Sequence, residues 1–225
     1  MKKIPFALHT ETFTPKDIAK VLSLAVNEKN FTGNNKGEKF LNVPVSFDIE
    51  TTSFYRDEVG ETYSYERYMK LGGKQTKMEK CSLMYVWQFG INGYCIIGRT
   101  WDEFITMIDT ISDVLNLSEK RRIIIYVHNL AYEFQFFREL LKWEKVFSID
   151  LRKPIYGITE NGIEFRCSYL LSGYSLAKLG EQLHKYKCEK LVGDLDYSLL
   201  RHSKTSLTQK EIGYCLNDIK VVMCY

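Results

Sequence analysis

The sequence predicts an α/β fold, a mixed central sheet flanked by helices, and three observations point to it. Short apolar runs rich in β-branched and aromatic residues recur between turn signals. Capping boxes open two long segments with an apolar stripe at helical spacing. Strand signals come first and then alternate with helical ones, with one hairpin among them.

Thr14-Pro-Lys-Asp17 caps a first helix whose apolar face carries Ile18, Val21, Leu22, Leu24 and Ala25. A loop follows over residues 30–38, so residues 1–42 read as an extension that packs ahead of the core. Val43-Pro-Val-Ser-Phe47 reads as a buried strand, and residues 53–80, polar, tyrosine-rich and containing Gly72-Gly73, as an inserted loop or hairpin. Residues 84–89 and 94–97 form a hairpin across the turn at residues 90–93. Thr100-Trp-Asp-Glu103 opens a helix over 101–115, with Phe104, Ile105, Ile108, Ile111 and Leu115 inward. A buried strand is expected at 122–127, a helix at 131–143, strands at 146–158 and 163–167, and helices at 175–186 and 209–225.

Composition bounds the function. The 225 residues, 45% hydrophobic, suffice for one ordinary core. A net charge of +3 leaves no broad electrostatic footprint for duplex nucleic acid, so any binding falls to local grooves. Six cysteines without a C-x-x-C pair argue against a zinc site or a disulfide framework. The N-terminal apolar stretch is too short for a signal core, and no run reaches membrane-spanning length; a soluble, cytoplasmic protein is expected.

Chemistry concentrates in Ser46-Phe-Asp48-Ile-Glu50-Thr51-Thr52, where strand alternation puts Asp48 and Glu50 on one side of an otherwise apolar run. Two unpaired carboxylates at the end of a buried strand repel unless protons or a cation compensate. Two further acids fit the same site. Glu133 lies one helical turn after Asn129 at a strand-to-helix junction, where Asn129 can also cap the helix. Thr208-Gln-Lys-Glu211 opens the last helix and puts Tyr214 and Asp218 on one face, one turn apart. Together the four acids read as a site for two divalent cations.

Asp-x-Glu after a strand, Asn-x-x-x-acid at a strand-helix junction and Tyr-x-x-x-Asp on a later helix, in this order, resemble the three motifs of the proofreading 3′ to 5′ exonuclease domain of family B DNA polymerases. The finer resemblance is to the protein-primed polymerases of phages and related elements. It rests on Asp48-Ile-Glu50-Thr51-Thr52, Tyr126-Val-His128-Asn129-Leu130, Gly193-Asp194-Leu-Asp196-Tyr197 and Asn217-Asp218-Ile219, and it covers residues 43–225. The chain departs from the pattern in two places. Glu133 stands where the family usually has Asp, and Val192 aligns with its phosphate-polarising lysine, with Lys190 and Lys187 nearby.

The resemblance implies a ribonuclease H-like exonuclease fold and two Mg²⁺ or Mn²⁺ ions. Asp48 would bridge the ions, Glu50 and Asp218 would complete one site, and Glu133 would hold the second through water. Tyr214 would orient the attacking water, being too weak an acid to serve as a base. Thr51, Thr52, Tyr126, His128, Asn129, Tyr132, Ser168, Tyr169 and Lys190 would contact the terminal nucleotides of a single-stranded DNA 3′ end. The expected setting is one domain of a longer phage-type polymerase, with a C-terminal polymerase domain and a terminal priming protein as partners. Two alternatives share these residues: the same chemistry on RNA, which differs by its 2′-hydroxyl, and a non-enzymatic single-strand-binding module.

Overall fold

A computed structural model describes residues 7–9, 14–184, 188, 190, 191 and 199–225. Val192, Lys187 and the Gly193–Tyr197 stretch lie outside them. The described strands are β1 (Ala7–His9), β2 (Phe31–Gly33), β3 (Lys39–Leu41), β4 (Val45–Arg56), β5 (Thr62–Tyr63), β6 (Glu79–Ile91), β7 (Tyr94–Gly98), β8 (Arg121–Val127), β9 (Trp143–Ser148), β10 (Pro154–Thr159) and β11 (Ile163–Cys167). The helices are α1 (Pro15–Ala25), α2 (Tyr65–Lys70), α3 (Trp101–Val114), α4 (Leu130–Phe137), α5 (Ser168–Ser172), α6 (Leu176–Glu181) and α7 (Gln209–Cys224).

The sheet order is β1-β7-β6-β4-β8-β11-β10-β9. β4 sits centrally, antiparallel to β6 and parallel to β8. Its two faces serve different layers. Val45, Phe47 and Ile49 enter the main core with α1, α3 and α4, where Phe47 packs against Phe104, Phe137 and Phe165. On the opposite face of the sheet, β6 and β7, beside β4, meet α7 through a smaller cluster of Tyr85, Val86, Cys95, Ile97, Cys215, Ile219 and Met223. Between Glu50 and Thr51 the pairing skips from Val86 to Met84, a bulge on β6 that turns both Tyr85 and Val86 toward α7.

Several boundaries differ from expectation for identifiable reasons. The predicted helix over 131–143 stops at Phe137, because Trp143 is drawn into the aromatic core beside Phe134, Phe137 and Phe165 while its indole N–H bonds to Arg138 O at 2.7 Å. Residues 146–158 split into β9 and β10, an antiparallel pair. The expected helix over 175–186 is described only as the six-residue α6, and α5 is an additional short helix. The β6–β7 turn is tighter than residues 90–93, since only Asn92 and Gly93 adopt positive φ, the pairing favoured in two-residue hairpins.

Residues 14–42 contribute to the common core: Ile18, Val21, Leu22 and Ala25 are buried in it, Leu24 faces solvent, and β3 pairs in parallel with β8. The 53–80 segment is a hairpin arm. β4 and β6 stay paired out to Arg56 and Glu79, and α2 folds back so that Tyr68 stacks on Tyr55 with centroids 3.6 Å apart. No helix among the described residues is long and apolar enough to cross a membrane.

The approach of α7 to the sheet depends on Gly90. A Cβ there would stand 2.3 Å from Ile219 Cγ2 and 2.9 Å from Met223 Sδ. Gly90→Ala is therefore expected to destabilise by about 1–3 kcal/mol through overpacking. That exceeds the roughly 0.4–1 kcal/mol gained by restricting the unfolded chain. A lower urea midpoint at unchanged m-value would show it; a midpoint equal to or above wild type would refute it.

Candidate metal centre

β4, α4 and α7 each deliver acids to one cleft of about 190 Å³, lined in part by Asp48, Glu50, His128, Glu133, Lys190, Tyr214 and Asp218. Asp48 and Glu50 reach it by alternation along β4, on the α7 side. Glu133 reaches it from the first turn of α4, and Asp218 from the middle of α7. Carboxylate oxygens of Asp48, Glu50 and Asp218 lie within 4.8 Å of one another. Glu133 stands just outside that trio, in direct hydrogen-bond contact with Asp48. Two carboxyl groups in such contact repel when both are ionised, so the arrangement favours a proton or a cation between them.

Burial and mutual repulsion dominate the electrostatics. Glu50, Glu133 and Asp218 are each at least nine-tenths buried. Burial pushes the Glu50 carboxyl well above the usual carboxylate range, with Asp48 and Asp218 adding to the effect. Burial and then Asp48 do the same to Glu133. Burial also raises Asp48, against the opposing effects of its hydrogen bond with Glu133 and of other neighbours. Asp218 is pushed up to about 7 by burial and by Asp48, although Lys190 and Tyr214 act in the other direction. Lys190 Nζ lies 3.7 Å from Asp218 Oδ2 and 6.0 Å from the Tyr214 ring centroid.

These residues fit a divalent cation. The donors are hard carboxylate oxygens, the set that Mg²⁺ and Mn²⁺ prefer. Glu133 Oε2 and Asp218 Oδ1 are buried without a hydrogen-bond partner among the described residues. Unmet acceptors of this kind carry a desolvation cost that a cation would offset.

The other predicted residues fall into separate groups. His128 Nδ1 lies 3.1 Å from Ser168 Oγ, and its ring meets Tyr169 edge-on at 5.8 Å. Burial and then Lys190 lower the imidazole to about 4, so it is neutral at physiological pH. Thr51 Oγ1 and the Tyr132 hydroxyl are 2.6 Å apart, and neither lines the cleft. Tyr126 and Ser168 line an adjoining groove of about 270 Å³ that shares Val222 with the acidic cleft. Asn129 does not cap α4: its backbone is left-handed (φ 68°) and its exposed side chain makes no capping bond. Thr52 is held away from the cleft, fully buried, with its hydroxyl donating to Leu199 O and accepting from Arg201 N.

Sequence reasoning missed Gln88. It is fully buried opposite Asp48, and its Nε2 donates to Asp48 Oδ2 at 2.8 Å and reaches Glu50 Oε1 at 3.5 Å. The available signal was one amide in an otherwise apolar strand run.

The chain matches no protein-family model, and no curated protein matches it by sequence. Its fold does match solved structures. Phi29 DNA polymerase in a ternary complex with primer-template DNA and incoming nucleotide aligns with a TM-score of 0.54 at 16% identity, covering 80% of this chain and 29% of that one. The same polymerase with single-stranded DNA aligns at 0.54 and 15%, covering 83% and 30%. Its post-translocation complex aligns at 0.53 and 15% over the same shares. The chain therefore shares the mixed α/β fold of the matched part of that polymerase. The chain spans about 30% of the length of the polymerases it matches.

The raised carboxyl groups set a pH dependence. A group whose folded pKa exceeds its unfolded value favours folding below the unfolded pKa, and that contribution is lost as pH rises through the folded pKa. For Asp218 the loss runs from about 4 to about 7, and on its own amounts to the order of 4 kcal/mol. With metal removed by chelation, the melting temperature is expected to fall between pH 5 and pH 8. Millimolar Mn²⁺ or Mg²⁺ should raise it at pH 8 and much less at pH 5, since metal and protons compete for the same oxygens. A metal-free melting curve that improves with pH contradicts this electrostatic account.

Proposed function

We propose that this chain is a divalent-metal-dependent 3′ to 5′ exonuclease that removes nucleotides from single-stranded DNA ends in the cytoplasm, as the proofreading module of a phage-type family B DNA polymerase. One observation carries the reading: four acids from three distant segments converge in one cleft, with two buried oxygens left without a partner among the described residues. The nuclease fold and the alignment with Phi29 polymerase bound to single-stranded DNA support it. So does the ordered motif set.

Asp48, Glu50 and Asp218 would hold one cation, with Asp48 and Glu133 at a second. Bound there, divalent cations lower the pKa of a coordinated water and offset charge on the phosphoryl oxygens of an in-line displacement. The remaining work belongs to the chain. The Tyr214 hydroxyl, hydrogen-bonded to Asp218, orients the attacking water without taking its proton. Lys190 Nζ, beside Asp218 and Tyr214, presents positive charge to the scissile phosphate. Neutral His128, paired with Ser168, offers a hydrogen bond to the terminal nucleotide without competing for the acids. Tyr132, 42% exposed and tied to Thr51, presents a ring on which an unpaired base stacks.

A 5′-labelled single-stranded DNA oligonucleotide with Mn²⁺ should give a ladder shortening from its 3′ end. Asp48→Ala and Asp218→Asn should each slow it by at least roughly 10³-fold, since several kcal/mol of transition-state stabilisation are lost. Inactivity of a folded wild-type protein on DNA rejects the proposal; faster cleavage of a matched RNA reassigns the substrate.

Tyr132→Ala tests the strand grip separately. Loss of a stacking partner costs about 1–3 kcal/mol, so the oligonucleotide Kd measured in Ca²⁺ should rise by roughly 5- to 150-fold. An unchanged Kd removes Tyr132 from the interface.

A further inference from the structure

Gln88 has an unusual position for an amide. It lies in the middle of β6, in register with Asp48 and beside Ile97 of β7, and it is fully buried. Its Nε2 points at Asp48 Oδ2 and Glu50 Oε1, while its Oε1 is buried without a hydrogen-bond partner among the described residues. Packing does not require such a residue. A leucine or methionine of similar volume would fill the space between β6 and α7 without burying an unmet carbonyl. The feature that an apolar residue cannot supply is the pair of N–H donors aimed at the two acids.

Those donors have the properties an acidic cation site needs. A lysine or arginine at this place would neutralise Asp48 and Glu50 and compete with a cation. Another carboxylate would add to their repulsion. An amide donates hydrogen bonds while leaving the negative charge available, and it engages one oxygen of each carboxyl group so that the other can face the cleft. Groups one step behind the ligands characteristically orient them in this way.

We infer that Gln88 is a positioning residue of the metal centre, its side-chain amide holding Asp48 and Glu50 in the orientation that binds a divalent cation. The inference rests on the reading of the acids as a cation site, and Mn²⁺ titration of the whole chain, followed by the electron paramagnetic resonance signal of free Mn²⁺, separates the two.

Wild type, Gln88→Leu and Gln88→Met are compared at pH 8, alongside melting temperatures in chelator. The expected result is Mn²⁺ binding by wild type, a 10- to 100-fold higher Kd in both variants, and metal-free melting temperatures no lower than wild type. Unchanged Mn²⁺ affinity in the variants overturns the role of Gln88 while leaving the metal centre intact. Lower melting temperatures in both variants overturn it in favour of a structural role. Absence of Mn²⁺ binding by folded wild type overturns the metal reading itself, and the inference with it.

Discussion

Repulsion among buried carboxyl groups is the constraint that organises this molecule. Asp48, Glu50, Glu133 and Asp218 share one cleft, the last three buried and Asp48 half-buried, where like charges cannot all ionise without compensation. The raised pKa values of all four groups express that conflict, as does the direct contact of Glu133 with Asp48. Such a cluster costs stability by itself, a cost that a bound cation would offset.

Much of the surrounding architecture serves to keep the acids together against that repulsion. Gly90 lets α7 lie close to β6, and the Ser46 hydroxyl bonds to Ile219 O at 3.2 Å, next to Asp218. Farther along, Thr52 ties residues 199–201 to β4. Arg201 pairs with Glu211 at 2.8 Å, and Arg99 donates to the carbonyls of His202 and Thr205. Burial would raise Glu211, yet hydrogen bonds from Thr208 together with Arg201 hold it below the usual carboxylate range. The start of α7 is therefore anchored by a satisfied ion pair, while Asp218 at its middle keeps one buried oxygen, Oδ1, without a hydrogen-bond partner among the described residues.

The same division separates the two faces of β4. The α1/α3 face is packed with interlocking aromatic rings and carries no titratable group of the cleft. The α7 face carries Ser46, Asp48, Glu50 and Thr52, all engaged with polar partners. A rigid apolar face makes a polar face of this kind tolerable, because strain on one side of a strand is resisted by close packing on the other. The β6 bulge at Tyr85 supports the arrangement by placing two consecutive apolar side chains against α7 where the acids end.

Periodicity alone determined which acids share a side of their own element: Asp48 with Glu50 on a strand, and Tyr214 with Asp218 on a helix. Capping boxes marked the starts of α3 and α7, because both depend on residues three positions apart. Only the tertiary structure decided what distant segments do to one another. Trp143 is a strand residue because the Phe134, Phe137 and Phe165 cluster needs its ring, which no local pattern encodes. Thr52, adjacent in sequence to Thr51, belongs to a backbone tie, while Thr51 meets Tyr132. Gln88 is a single polar residue in an apolar run, and only strand pairing sets it opposite Asp48. Local order follows from spacing along the chain; the convergence of four repelling acids, and the amide beside them, depends on contacts between residues far apart in sequence.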